Sequence, residues 1–153
     1  MQIESCIQNF PIGNLRLEVA ENRLTHIIYT DLPPTSNKIS NEILAETILQ
    51  LNEYFAGTRT KFDLPIAPVG TDFQQKVWRG LLSVEYGNTF TYKELAELIN
   101  SPKACRAVGH ACHLNPVSIV IPCHRIIGHN GTLTGYAGGL RNKQFLLDLE
   151  KKH

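Results

Sequence analysis

An apolar run that ends in a proline and a cysteine constrains this chain more than any other feature. Residues 117–121 read Val-Ser-Ile-Val-Ile, and Pro122, Cys123, His124 and Arg125 follow at once. A short apolar run bounded by turn residues predicts a buried strand. That strand would lead directly into a soft nucleophile beside an imidazole, so this stretch is the candidate reaction centre.

A cysteine is a nucleophile as its thiolate, and a nearby cation or base lowers its free pKa of about 8.5. His124 and Arg125 supply such neighbours to Cys123. Adjacent residues of an extended chain point to opposite faces, so His124 reaches the thiol through a turn or a bridging water, and we expect the water. The competing interpretation is a small buried hydrophobic residue, the commonest role of a free cysteine.

Charge is distributed unevenly along the chain of 153 residues. The overall composition is that of an ordinary globular protein. A net charge of +1 argues against a strongly basic nucleic-acid binder. Residues 1–67 hold five Lys and Arg against eight Asp and Glu, whereas residues 68–153 hold ten against six. This asymmetry favours anion binding by the C-terminal part, with chance variation in surface charge as the alternative.

Neither a signal peptide nor a transmembrane span is evident, because the N-terminal segment lacks a basic region and a long apolar stretch. We therefore expect a cytoplasmic protein in a reducing compartment. The cysteines, which we predict to be reduced, are Cys6, Cys105, Cys112 and Cys123.

The N-terminal third predicts a small α/β unit. Strand-like alternation runs over residues 2–29, with a turn at 21–23. A loop over 31–37 precedes a helix predicted over 40–56. No residue here belongs to a chemical constellation, so the unit is interpreted as a structural support. The proline-rich residues 65–70 are the predicted boundary, which gives an N-terminal domain over 1–67 and a C-terminal domain over 68–153.

Two capping boxes, Thr71 to Gln74 and Thr91 to Glu94, predict helix starts in the second domain. Trp78 lies in the first of these helices and is predicted to pack in a core.

A third helix follows the second after a tight connection, with Ser101 as predicted N-cap and Pro102 at the first helical position. Such a pair is typical of a helix-turn-helix, and an αα-hairpin is the alternative. Arg106 projects from this third helix, and a slim helix with one insertable side chain suits a minor groove. The alternative is a surface arginine paired with a carboxylate. The small residues of the helix are Ala104, Ala107, Gly109 and Ala111.

The C-terminal stretch combines a turn, a small-residue loop and a helix. Residues 129–131, His-Asn-Gly, predict a tight turn. Residues 135–139, Gly-Tyr-Ala-Gly-Gly, expose backbone N–H groups and lack the Lys and Ser/Thr of a phosphate-binding loop. An amphipathic helix is predicted over 140–150, with Glu150 near its end.

Together these motifs resemble the O6-alkylguanine-DNA alkyltransferases. Residues 121–125, Ile-Pro-Cys-His-Arg, are similar to the acceptor-cysteine motif of that family. The resemblance extends from about residue 71 to residue 150, over ordered motifs at 73–78, 91–96, 106–109, 115–116, 135–139 and 145–147. It implies an α+β fold: a ribonuclease H-like N-terminal α/β domain and a mostly helical C-terminal domain with a winged-helix-like helix-turn-helix.

The chemistry implied by the resemblance is stoichiometric, irreversible transfer of an alkyl group from O6-alkylguanine in flipped-out DNA to Cys123. His124 takes the thiol proton through a water, Glu150 orients His124, and Tyr92 neutralises the departing guanine. A terminal glutamate that is simply solvated is the alternative for Glu150. No cofactor or catalytic metal is implied, and the sequence leaves open whether O4-alkylthymine is also a substrate.

The resemblance also implies the binding residues. Asn115 bridges the recognition helix and the nucleophile segment, or simply makes an Asn-Pro turn. The carbonyls of Cys123 and Ile126 accept from the exocyclic amine of guanine, and the Ala137 N–H meets its O6. The substrate-binding residues are thus Asn115, Ile126, Tyr136, Ala137 and Gly138. The partner is the minor groove of double-stranded DNA, bound by a monomer, with Arg106 replacing the flipped nucleotide. The DNA-binding residues are Tyr92, Ala104, Arg106, Ala107 and Gly109.

Two departures from the family pattern concern the DNA-facing helix, where Cys105 and His110 stand in place of smaller residues and crowd the groove side. Cys6 and His26 are placed where some members bind a structural zinc, but two ligands are too few for a site. Three alternative functions remain: a lesion sensor without transfer, against which Cys123 argues, a Cys-His hydrolase, and a helix-turn-helix regulator that reads the major groove.

Overall fold

The computed structural model describes residues 2–35 and 38–153. The chain divides into two compact units, Met1–Pro68 and Val69–His153. Of the predicted loop over 31–37, Ser36 and Asn37 lie outside the described residues, and the rest of it has neither helix nor strand. In the ranges that are described, no helix is long and apolar enough to cross a membrane.

A three-stranded antiparallel sheet forms the first unit, in the order β1 (Ile3–Phe10), β2 (Gly13–Ala20) and β3 (Arg23–Tyr29). Glu21 and Asn22 join β2 to β3 with φ values of 51° and 62°. Two left-handed residues in succession make the tight hairpin turn whose twist matches that of the strands. The predicted alternation is confirmed, because the buried side chains of β2 are Leu15, Leu17 and Val19.

Helix α1 (Glu42–Phe55) begins two residues after the predicted start, since Asn41 is its N-cap and accepts from the Leu44 N–H at 2.9 Å. Buried Gln50 then clamps the segment that follows the helix. Its Oε1 accepts from the Asp63 N–H at 2.8 Å, and its Nε2 donates to the Asp63 carbonyl at 3.0 Å. The backbone N–H and carbonyl of Asp63 are thereby both satisfied by one side chain.

Four helices make up most of the second unit: α2 (Asp72–Leu82), α3 (Tyr92–Leu98), α4 (Cys105–His113) and α5 (Leu140–Lys152). Strands β4 (Phe90–Thr91) and β5 (Ile126–Ile127) form a short parallel pair. Both predicted capping boxes are confirmed. Thr71 and Thr91 each accept from the backbone N–H three residues on, and the side chains of Gln74 and Glu94 accept in return.

The predicted start of the third helix of this unit is wrong. Helix α4 begins at Cys105, with Ala104 rather than Ser101 as its N-cap. Asn100, at φ 60°, ends α3 in a Schellman motif, in which the Ser101 N–H reaches back to the Ala96 carbonyl at 2.8 Å. The Ser101 hydroxyl accepts from Lys76 Nζ at 3.2 Å. Ser101 therefore closes α3, and its side chain does not cap α4.

The apolar run over 117–121 is buried as predicted but is not a strand. Only an isolated bridge, Ser118 to Ile121, occurs there, and Ile119 has a φ of 74°. A β-branched residue at positive φ is a conformational outlier. The run folds back on itself because the Ile121 N–H donates to the Val117 carbonyl at 3.0 Å. It is a compact turn that delivers Cys123, rather than an extended segment.

Trp78 joins α2 to α4. Its side chain is 2% exposed, as its predicted packing role requires, and its indole Nε1–H donates to the Ala111 carbonyl at 2.9 Å. Leu82, at the last position of α2, is by contrast 49% exposed.

Replacing Trp78 with Phe should lower the free energy of unfolding by about 1–3 kcal/mol, because the buried Ala111 carbonyl loses its side-chain donor. Urea denaturation monitored by circular dichroism measures this loss. Leu82→Ala, on the same helix but exposed, is the control and should stay within about 0.5 kcal/mol of the wild type. Equal losses in the two variants would contradict the anchoring role of the indole.

Candidate active site

Cys123, His124 and Arg125 form one turn of 3₁₀ helix, here called the Cys-His-Arg turn. All three residues are buried, with exposures of 5%, 0% and 7%. The turn follows directly from the reversal at 117–121, and the Arg125 N–H donates to the Pro122 carbonyl at 3.0 Å. Three chemically active side chains thus leave a single turn in different directions.

Glu150 of α5 lies against this turn and is 3% exposed. His124 Nε2 is 2.7 Å from Glu150 Oε2, and a carboxylate only accepts, so the Nε2 carries the proton and donates it. Arg125 Nε donates to Glu150 Oε1 at 2.8 Å, and Arg125 Nη2 donates to Oε2 at 3.0 Å. The structure therefore brings Glu150 and His124 together, 26 residues apart in sequence.

Burial and the neighbouring charges act in opposite directions on the charge states of Glu150 and His124. Burial alone would raise the pKa of Glu150, but hydrogen bonds and charge from His124 and Arg125 outweigh it and hold the pKa well below its usual range. For His124, burial is the largest effect and lowers the pKa, and Glu150 only partly opposes it. An ionised carboxylate thus faces a neutral imidazole, whose buried Nδ1 has no hydrogen-bond partner among the described residues.

Asn115 holds the segment that carries the cysteine. Its Nδ2 donates to the Ile121 carbonyl at 2.8 Å and to Cys123 Sγ at 3.2 Å, and its Oδ1 accepts from the Val117 N–H at 3.0 Å. The sulfur's donor is therefore Asn115 and not His124. Burial raises the pKa of Cys123, and the Asn115 donor and the charge of Lys143 act in the opposite direction.

Lys143 is the site residue that the sequence reasoning missed. It is fully buried on α5, and its Nζ donates to the Thr134 carbonyl at 2.9 Å. Burial lowers its pKa, whereas the charges of Cys123 and Cys112 raise it. Helical spacing could have found it, since a lysine at 143 shares a face with the core positions 146 and 147 and with Glu150.

Cys112 is a second buried thiol beside the first. Burial raises its pKa to about 12, the charge of Cys123 adds to the rise, and Lys143 opposes it. A thiol with that pKa stays protonated at neutral pH and behaves as a packed apolar group.

Tyr92 lies near this centre, since the charges of Cys112 and Cys123 act on its pKa. It lines a cavity of about 520 Å³ whose walls are Tyr92, Cys105, Arg106, Gly109, His113, Thr134 and Gly135. Its hydroxyl accepts from Thr134 Oγ1 at 3.0 Å, and burial raises its pKa. A Cβ added at Gly109 would meet the Tyr92 ring at an ordinary van der Waals distance of 3.6 Å, so α4 lies close to the ring at this position.

The outer face of α4 differs in one respect from the sequence prediction. Arg106 and Ala107 are exposed, and Ala104 and Gly109 are partly exposed, but Ala111 is buried on the inner face, where its carbonyl meets Trp78. Of the residues expected to crowd the groove side, His110 is exposed and Cys105 lines the cavity.

The small-residue loop over 135–139 contributes Gly135 to the wall of the cavity that Tyr92 lines. Tyr136 is 7% exposed, Ala137 is exposed, and Gly138 accepts from Asn142 Nδ2 at 2.8 Å through its carbonyl. Gly139, at φ 93°, ends the loop ahead of α5. Ile126 is fully buried in β5, opposite Phe90.

Cys6 and His26 do not share a metal site. Cys6 pairs with Leu17 and His26 with Glu18, which are neighbours on β2. Successive residues of a strand point to opposite faces, so the two side chains lie on opposite sides of the sheet. His26 instead contacts Glu18 Oε2 at 2.9 Å. Within 2–35 and 38–153, no three His, Cys, Asp or Glu residues cluster as metal ligands would.

Comparison with known proteins identifies the family. Residues 72–152 match the model of the 6-O-methylguanine DNA methyltransferase, DNA binding domain, and residues 6–68 match that of its ribonuclease-like domain. The chain therefore belongs to the 6-O-methylguanine DNA methyltransferase family, which confirms the resemblance inferred from its motifs.

Individual relatives agree with the family models. A methylated-DNA–protein-cysteine methyltransferase of Methanosarcina barkeri is 46% identical over 150 residues, covering 94% of each chain. One of Mycobacterium leprae is 44% identical over 145 residues, covering 92% of this chain and 88% of the other. The crystal structure of Mycobacterium tuberculosis OGT in complex with DNA superposes with a TM-score of 0.86 at 44% identity, covering 95% of this chain and 91% of that one.

Glu150→Gln should lower the free energy of unfolding at pH 7 by about 3–5 kcal/mol, because Arg125 keeps its buried charge and loses the carboxylate. The folded-state pKa of Glu150 is depressed, so its contribution is complete above the ordinary value of about 4.3 and is lost as the pH falls towards the folded value. Urea denaturation at pH 7 and at about pH 3 should therefore find the gap between wild type and variant narrowing in acid.

Glu53→Gln is the matched control, since Glu53 pairs with Arg59 at 2.9 Å with both side chains partly exposed. It should change the stability by about 1 kcal/mol or less at either pH. A Glu150→Gln loss as small as that of the control, or one independent of pH, would contradict the buried charge assignment.

Proposed function

We propose that this protein repairs DNA by transferring an alkyl group from the O6 atom of guanine to the sulfur of Cys123. The observation that carries the proposal is the buried Glu150–His124 pair, bonded at 2.7 Å, in which His124 lies on the same turn as a thiol held by Asn115. The relatives' name, methylated-DNA–protein-cysteine methyltransferase, and the DNA bound to the M. tuberculosis relative support it.

The reaction is a displacement at a saturated carbon. The thiolate of Cys123 forms a carbon–sulfur bond as the carbon–oxygen bond to guanine breaks. The thiol proton goes, through a water, to the Nδ1 of His124, the nitrogen without a partner in the part of the chain that the structure describes. Glu150 accepts from Nε2 and stabilises the resulting imidazolium, so the proton transfer does not leave an uncompensated buried charge.

The leaving guanine carries the electron pair of the broken bond and must be neutralised. Tyr92 donates to a ring nitrogen in this scheme. Because its hydroxyl oxygen accepts from Thr134, its own proton is free to be donated. Burial raises the pKa of Tyr92, which keeps the phenol protonated until the anion forms.

The base pocket in this proposal is built mostly from backbone. The carbonyls of Cys123 and Ile126 accept from the exocyclic amine, and the N–H of Ala137 donates to O6. Tyr136 and Gly138 form the wall on either side of Ala137, and Asn115 keeps the sulfur aimed at the alkyl carbon. Backbone groups of a buried, tightly bonded turn are well suited to this task because their positions do not depend on rotamers.

DNA binding is assigned to the domain over 68–153, with α3 and α4 as a helix-turn-helix that lies in the minor groove, and the domain over 1–67 supports it. Ala104, Ala107 and Gly109 allow close approach, and Arg106 fills the gap left by the flipped nucleotide. Flipping costs a few kcal/mol, part of which this filling offsets. The protein acts as a monomer in this scheme.

Each molecule acts once, because a thioether is not hydrolysed by water as a thioester is. No cofactor takes part in the proposed chemistry, since the alkyl group and both proton positions come from the substrate and the protein.

Incubation with duplex DNA carrying one O6-methylguanine should add one methylene per protein molecule, on the peptide that contains Cys123. Intact-mass measurement followed by peptide mapping tests this outcome. Cys123→Ala should abolish the transfer and keep DNA binding, whereas Cys105→Ala, which changes a thiol in the neighbouring cavity, should retain it. Lesion binding without any mass change would make the protein a lesion sensor, and repeated ester turnover would make it a hydrolase.

Arg106→Ala should slow alkyl transfer from duplex DNA more than transfer from free O6-alkylguanine, because only the duplex requires flipping. The logarithmic salt dependence of duplex binding should fall by about one unit if Arg106 also neutralises a phosphate. Single-turnover rates on both substrates measure the difference. Arg23→Ala, exposed in the first unit, is the control, and equal loss on duplex and free base would exclude the inserted position of Arg106.

A further inference from the structure

Arg125 makes more contacts than a charge partner for Glu150 requires. Besides its two bonds to the carboxylate, Nη1 donates to the Val84 carbonyl at 2.7 Å, and its guanidinium carbon lies 5.7 Å from the centre of the Tyr86 ring. The side chain is 8% exposed. It therefore ties the Cys-His-Arg turn to the residues just after α2 and to α5, in one fixed orientation.

One carboxylate oxygen is shared. Glu150 Oε2 accepts from His124 Nε2 at 2.7 Å and from Arg125 Nη2 at 3.0 Å, while Oε1 accepts from Arg125 Nε at 2.8 Å. Bidentate pairing prevents the carboxylate from rotating. It also divides the negative charge between a permanent cation and the imidazole, so His124 receives only part of the stabilisation that an unshared carboxylate would give to its charged form.

We propose that Arg125 is a positioning residue that holds Glu150 bidentately and thereby keeps His124 a neutral base able to take the thiol proton. The inference rests on the proposed function, in which His124 receives that proton. It goes beyond that function because it assigns the resting charge state of the base to a residue that touches neither the substrate nor the sulfur.

The charges around His124 are of both signs. From α5 it faces Glu150, which favours the imidazolium, and Lys143, which disfavours it. From its own turn it faces Arg125, which also disfavours it, and Cys123 lies next to it in the chain. Tyr86 stands beyond, against Arg125 and Glu150, with a pKa raised by burial and by the Glu150 charge, so it stays neutral. Removing Arg125 would take away one of the two cations that disfavour the imidazolium and would leave Lys143 as the other.

The direct test is the titration of the His124 imidazole, followed by NMR in the wild type, Arg125→Met and Arg125→Lys, with the His124 signal assigned by His124→Gln. Arg125→Met should raise the titration midpoint of His124, because a cation that disfavours the imidazolium is removed from its carboxylate partner. Arg125→Lys keeps the charge but not the two-pronged geometry, so its shift should be smaller and in the same direction. If Arg125→Met does not fold, the Lys variant still carries the test.

The single-turnover rate of methyl transfer from duplex O6-methylguanine, measured against pH, is the second readout. The rate falls in acid as His124 becomes protonated, so a higher midpoint should move this acid limb to higher pH in the Arg125 variants. Arg59→Lys is the matched control, since Arg59 Nε also donates to a glutamate at 2.9 Å, within the first unit. It should leave both profiles unchanged.

The outcomes separate the two proposals. An unchanged His124 midpoint, or a rate lowered equally at every pH, would overturn the positioning role and leave Arg125 a purely structural residue. A raised midpoint in a protein that transfers no methyl group would support the charge assignment and refute the proposed function.

Discussion

The buried charge on Glu150 is the constraint on which the second unit depends. A carboxylate removed from water is stable only if it is paired and hydrogen-bonded, and otherwise it becomes protonated. Here Arg125 and His124 satisfy it together, at distances of 2.7 to 3.0 Å. Because these partners lie on one turn and Glu150 lies on α5, the charge can be satisfied only when the helix and the turn are both in place. The charge therefore stabilises the packing of α5 against the Cys-His-Arg turn.

A second constraint acts on the backbone before the turn. Ile119 stands at a φ of 74°, a conformation that costs of order 1–3 kcal/mol for a non-glycine residue. The side chain of Asn115 makes this tolerable, since it bonds both ends of the reversal, the Val117 N–H and the Ile121 carbonyl. The same amide also reaches the Cys123 sulfur. One side chain thus stabilises an unusual backbone and polarises the thiol that this backbone presents.

Local signals explain which parts of the fold were predictable. A capping box is complete within four residues, so Thr71 and Thr91 could be identified as helix starts from sequence alone. The alternation of Leu15, Leu17 and Val19 is equally local, because neighbouring residues of a pleated strand point to opposite faces.

The prediction of Ser101 as an N-cap failed because its contacts are not local. Its hydroxyl is bound by Lys76, 25 residues away, and its N–H belongs to the end of α3. The prediction of a strand over 117–121 failed because an apolar composition indicates burial and not backbone conformation. The reversal of the chain there depends on the side chain of Asn115. The contact of His124 with Glu150 came from family resemblance and not from spacing, and the buried position of Lys143 was missed altogether.

The state of the thiol follows from these contacts. Burial raises the pKa of Cys123, and one amide donor and one buried lysine only oppose that effect. A resting thiolate stabilised by a direct imidazolium partner, as in many cysteine nucleophiles, does not fit a site whose sulfur is bonded to Asn115 and whose imidazole is bonded to Glu150. In the proposed reaction the thiolate of Cys123 therefore forms only when the thiol proton moves to His124. That step requires an imidazole that is neutral beforehand and stabilised once charged, which is what a carboxylate shared with Arg125 provides.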